Sequence, residues 1–109
     1  CQTNLWYHMA NLRKAVLDVL KPHDPDITVL ARALSELESI EGVNISVYEL
    51  DHKVENVKAT ILGDFKDLSE IKAVIADIGG TVHSIDEVVA GKRIINEEAT
   101  LHERLQEQP

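Results

Sequence analysis

At 109 residues with 44% hydrophobic side chains, the chain is sized for one domain around one core. Nineteen acids against eleven bases give a formal charge of -8, a field that repels phosphate backbones and speaks against nucleic acid as a partner. The one cysteine is Cys1, which excludes a disulfide framework and a thiolate metal cluster.

The apolar runs fall far short of the roughly 20 residues that span a bilayer. No signal-peptide pattern precedes the domain, so the expected compartment is the cytoplasm, with no membrane partner. Residues 1–9 read as a leader outside the periodic pattern, with Met9-Ala10 as a natural start. Trp6 and Tyr7 fall within that leader. The domain itself is expected over 10–95.

Asn11 to Leu20 alternates as a strand, with Ala15, Leu17 and Val19 on one face and Lys14, Val16, Asp18 and Leu20 on the other. Lys21-Pro22-His23-Asp24-Pro25 is expected to stop it. Asp24 before Pro25 reads as the N-cap and first turn of a helix. Ile27, Leu30, Ala31, Leu34 and Leu37 then form one apolar stripe, and Gly42 is the expected helix stop. Val43 to Asp51 alternates as a second strand. The polar turn Asp51 to Asn56 leads into a third strand, Val57 to Leu62, which reads as a hairpin.

Asp67 with Glu70 resembles a capping box. Leu68, Ile71, Val74, Ile75 and Ile78 make the second helical stripe. Gly79-Gly80 ends that helix and opens a fourth strand through Thr81-Val82-His83-Ser84-Ile85-Asp86-Glu87-Val88. The tail, 96–109, is acidic, and Asn96 stands where it would cap a short helix carrying Leu101 and Leu105.

Strand, helix, strand, strand, helix, strand is the split βαβ pattern, an α+β ferredoxin-like sandwich. With right-handed crossovers the antiparallel sheet order is 4-1-3-2, and both helices lie on one face. The halves echo each other: Ser46 aligns with Ser84 and Val47 with Ile85, so Ile85 is expected to face the helices.

This topology gathers His23, Asp24, Asp26, Asp51, His52, Glu55 and His83 at one end of the sheet. Strands four and one are neighbours about 4.8 Å apart, so His23, Asp24 and His83 are expected to converge. Imidazole with carboxylate suits zinc, nickel or manganese, and carboxylate with carbonyl suits calcium. The competing reading has Asp24 capping a helix and the histidines solvated.

A second constellation is Asp18 with Ser84 and Asp86 on the open face. Two acids on paired strands repel unless a cation, a proton or a base lies between them. Asp18 and Asp86 are therefore candidate cation ligands, against the alternative of a solvated face. The same face is expected to carry Val16, Leu20, Tyr48, Leu50, Leu62 and Val88, apolar enough to need cover.

Val16-Leu17-Asp18-Val19-Leu20-Lys21-Pro22-His23, Glu41-Gly42-Val43-Asn44-Ile45, Gly79-Gly80 and His83-Ser84-Ile85-Asp86-Glu87-Val88-Val89-Ala90-Gly91 occur in this order. Together they resemble an archaeal family catalogued as a domain of unknown function, number two hundred and eleven. The resemblance covers roughly residues 10 to 95. It implies ferredoxin-like domains assembled as homo-oligomers, and it brings no activity and no catalytic residues.

Other uses of the fold lack their signatures. The loop after strand one has no cysteine pair for metal transfer and no arginine-bearing glycine loop, and strand three has no outward aromatics for RNA. The expected function is a homo-oligomeric module, a closed ring, binding a small-molecule ligand or a divalent cation, either calcium or a transition metal. The alternatives are a small metal-dependent enzyme using His23, Asp24 and His83, or a structural interaction unit.

Overall fold

The computed structural model describes residues 10–101. The expected leader and the Leu105 end of the tail lie outside the described residues. The elements are β1 (Leu12–Pro22), α1 (Ile27–Ser35), β2 (Ile40–Leu50), β3 (Val54–Phe65), α2 (Ser69–Asp77) and β4 (Thr81–Ala90). The sheet order is β2-β3-β1-β4, antiparallel throughout, which is 4-1-3-2 read from the other edge. This is the ferredoxin-like α+β fold. Among the described residues no helix is long and apolar enough to cross a membrane.

Alternation on the two central strands makes the core. Ala15, Leu17 and Val19 of β1 and Val57, Ala59 and Ile61 of β3 are fully buried. They pack with Leu30 and Leu34 of α1 and Ile71 and Ile75 of α2. Each large side chain so buried contributes about 1.5–3 kcal/mol.

Several boundaries differ from expectation. β1 runs on through Lys21 and Pro22, because β4 flanks it only as far as Leu20 and Pro22 pairs on one side alone, with Val54. The cap of α1 is Asp26, not Asp24: its carboxylate accepts the N–H groups of Thr28 and Val29. α1 ends at Ser35, and Gly42 lies inside β2. Asp67 accepts from the Ser69 N–H and hydroxyl, but the cap position itself is Leu68, which carries no capping side chain.

Gly79 does stop α2. At φ 84° it takes the left-handed conformation that favours glycine. Its N–H bonds the Ala76 carbonyl while the Gly80 N–H bonds that of Ile75, the paired closure of a Schellman motif. Residues 94–100 form no helix or strand.

The sheet is not a plain alternation. On β2, Val47 pairs with Val57 and Glu49 with Asn56, so Tyr48 is an extra residue. On β4, Val82 pairs with Val19, Ser84 with Asp18, Ile85 with Leu17 and Glu87 with Val16. His83 and Asp86 are therefore extra residues as well. Such bulges re-aim side chains and shift the phase of the residues beyond them.

Two expectations fail for this reason. Leu50 pairs with Glu55 and Val88 with Ala15, which puts both on the helix side of the sheet rather than the open face. Val89, paired with Lys14, joins the open face instead. Ile85, paired with Leu17, faces the helices as expected.

Candidate functional site

Asp18 stands in the middle of β1 on the open face, opposite Lys58 of β3 and Ser84 of β4. Its side chain is only 15% exposed. A carboxylate in this setting needs donors, and the bulges supply them. The Tyr48 hydroxyl, arriving from β2, donates to Oδ1. The His83 Nδ1, arriving from β4, lies 3.2 Å from Oδ2.

The neighbouring carboxylate holds the Tyr48 phenol above its ordinary pKa, chiefly through that hydrogen bond. The His83 ring is 70% exposed, and its Nε2 meets no partner among the described residues. The result is an imidazole oriented by a carboxylate with its far nitrogen open to a ligand, a proton or a metal ion.

Asp86 belongs to the same side. Ser84 pairs with Asp18, and its hydroxyl donates to Asp86 at 2.8 Å. The expected grouping of Asp18, Ser84 and Asp86 is thus present. On the helix side of β4, a cleft of ≈ 520 Å³ runs between α2 and β4, lined by Lys72, Val82 and Ile85 together with His83 and Ser84.

The other expected grouping, His23 with Asp24 and His83, is not brought together. β1 ends two residues later than expected, at Pro22, and β4 enters opposite Leu20, so His83 stands beside Asp18 while His23 lies beyond the strand end. His23 lies five residues from Asp18, roughly 16 Å along an extended chain. It pairs with Glu55 and the Asp51 carbonyl, whereas His83 pairs with Asp18. Asp24 is exposed in the bend before α1. Among the described residues no three His, Cys, Asp or Glu side chains form a ready set of metal ligands.

His23 instead completes a cluster on the helix side. Lys21 has no solvent exposure and donates from Nζ to Glu55 Oε2 at 2.8 Å and to the Pro22 carbonyl at 2.7 Å. Glu55 is 7% exposed, and its other oxygen lies 3.0 Å from His23 Nδ1. The Lys21 ammonium holds Glu55 below the usual carboxylate range despite its burial, and His23 adds to this. The Asp51 carbonyl, then Glu55, raise the His23 pKa.

Sequence reasoning missed Lys21. The signal was available: Lys21 is in phase with Ala15, Leu17 and Val19, the buried face of β1.

The family model of DUF211, described as uncharacterized ArCR, matches residues 13–104. An uncharacterized protein of the archaeon Methanocaldococcus jannaschii, MJ0319, is 55% identical over 96 residues, covering 88% of this chain and 99% of that protein.

Proposed function

The chain belongs to the DUF211 family, and from the surroundings of Asp18 we propose that it is a self-assembling binding module whose open sheet face takes a small ligand or a divalent cation. The observation that carries this reading is the Asp18–His83 pair, a largely buried carboxylate orienting an exposed imidazole. Asp86, linked through Ser84, adds a second acid nearby. The cleft between α2 and β4 lies on the helix side but shares His83 and Ser84 with this face, so a small molecule held there would meet the pair at the β4 edge. One chain offers a cation only part of a coordination sphere, so water, the ligand or a second copy completes it.

Assembly is supported by where apolar surface remains exposed. Val47, Tyr48 and Leu50 lie on β2, and Ile85 and Val88 on β4. These are the two edge strands, which also present unpaired backbone groups. A β2 edge meeting the β4 edge of the next copy is a head-to-tail contact, which closes into a ring when its rotation allows.

Light scattering at micromolar concentration tests the assembly, and a single 12 kDa species would overturn it. Calorimetric titration of calcium, zinc and manganese into wild type, Asp18→Asn and His83→Ala tests the site. Heat that is lost in both variants is expected for a cation. Equal binding in all three removes this pair from any cation site.

A further inference from the structure

His23 sits where the end of β1 meets the turn between β2 and β3, and both of its ring nitrogens face acceptors. Nδ1 lies 3.0 Å from Glu55 Oε1, and Nε2 lies 2.8 Å from the Asp51 carbonyl oxygen. A carbonyl oxygen has no proton to give. Glu55 has none either, because Lys21 Nζ holds it as a carboxylate at 2.8 Å. A neutral imidazole carries one N–H and can satisfy only one of the two. The other contact would then set lone pair against lone pair. Only the imidazolium, with two N–H donors, fits both.

We propose that His23 is a proton-operated clasp: as the imidazolium it ties the β2–β3 turn to the end of β1, and on losing its proton it releases the turn. The groups around it set the direction. Glu55 faces it from β3, with Lys21 of its own strand behind that carboxylate. Asp51 faces it from the turn by its carbonyl, while the Asp51 carboxylate is engaged with the His52 N–H. Asp24 flanks it in the bend, and Asp26 is occupied as the cap of α1. The same contacts raise the affinity of His23 for its proton. The clasp is therefore closed below the ordinary histidine range and opens as pH rises through the elevated value. At acid pH it persists until Glu55 itself takes up a proton.

Release would act on the stretch that carries Tyr48. Asp51 follows Tyr48 by three residues, and the turn is otherwise closed by the Asp51 N–H to the Val54 carbonyl at 2.9 Å. A loosened turn frees the end of β2 from which Tyr48 reaches Asp18.

Amide hydrogen exchange of the full chain between pH 5.5 and 8.5, corrected for intrinsic rates, tests this. Protection of peptides spanning residues 51–56 is expected to fall by roughly three- to tenfold as His23 deprotonates. In His23→Gln, whose amide never titrates, protection there is expected to be independent of pH. Constant protection in wild type, or the same fall in the glutamine variant, overturns the proposal. Should that variant fail to fold, the wild-type imidazole nitrogen resonances decide. A His23 titration midpoint above that of the urea-denatured chain, shared by the turn amides, supports the clasp. A midpoint at or below the denatured value overturns it.

Discussion

Tyr48 and His83 stand on the two edge strands of the sheet, and each holds a different oxygen of the Asp18 carboxylate between them. Each is also the extra residue of a bulge. A side chain in regular register on β2 points straight out of the sheet, two strand spacings from β1. The bulge tilts Tyr48 inward, and the length of a phenol covers the remaining gap.

This arrangement predicts a titration. The neutral phenol donates to Asp18, whereas a phenolate loses that bond and meets a like charge. Tyr48 should therefore ionise above its ordinary value of about 10. Stability tied to the bond is present below that ordinary value and is lost as pH rises through the elevated one. Asp18→Asn should return the midpoint towards about 10, read from the Tyr48 ring resonances so that Tyr7 does not interfere. An unchanged midpoint would show that Asp18 does not hold the phenol.

The buried pair predicts an asymmetry between single and double variants. Glu55→Ala leaves the fully buried Lys21 ammonium without its carboxylate, at a cost of about 3–5 kcal/mol in denaturant unfolding. Replacing both, as Lys21→Met with Glu55→Leu, should recover most of the loss, because two apolar side chains need no partner. A double variant as unstable as the single one would mean that the pair is not the source of the cost.

The α1 cap predicts an acid-side effect of the opposite sign to that of His23. The Thr28 hydroxyl, then the Thr28 and Val29 N–H groups, bond the Asp26 carboxylate and hold it below the usual range. Its contribution is present above the free carboxylate value and is lost as pH falls through the lowered one. Asp26→Ala should lower the thermal midpoint at pH 7, and the difference should shrink as pH falls below the free carboxylate value. A difference that persists undiminished in acid would exclude the charged cap as its cause.

Gly63 predicts a steric failure. A Cβ built there would lie 2.1 Å from the Ser39 carbonyl oxygen, which also accepts from the Asp64 N–H at 2.9 Å. Neither backbone can yield without disturbing the β2–β3 pairing. Gly63→Ala should destabilise by about 2–3 kcal/mol. At Gly42 the added Cβ meets nothing within 4 Å, so Gly42→Ala is the matched control, expected to be far milder.

The element order was legible because it rests on periodicity. Val43, Ile45 and Val47 alternate, and Ile71 and Ile75 recur at helical spacing, so strands and helices separate cleanly. Asp18 and Asp86 could be assigned to one side for the same reason. The misplacements of Leu50 and Val88 have a single cause. A bulge sets two residues against one partner without changing composition, so alternation carried past it assigns the wrong face. The union of His23 with His83 fails for a related reason. Pro22 reads as a stop, although at that point β1 has a neighbour on one side only, and β4 enters opposite Leu20, which sets His83 beside Asp18 and leaves His23 beyond the strand end. Lys21 shows the reverse error, a charge in core phase that goes unseen when the strand is ended at Leu20.

The two extra residues of β4 behave like an insertion and its suppressor in a reading frame. Val82 and Val88 keep the same parity and both face the helices, while the stretch between His83 and Asp86 runs out of frame. Each extra residue is nonetheless a letter that can be struck out singly, because the pairs on either side of it already match consecutive residues of β1. Deleting His83 alone would set Val82 and Ser84 side by side opposite Val19 and Asp18, and deleting Asp86 alone would do the same for Ile85 and Glu87 opposite Leu17 and Val16. The strand can therefore lose either residue without moving the rest, and what goes with His83 is the imidazole beside Asp18, not the pairing.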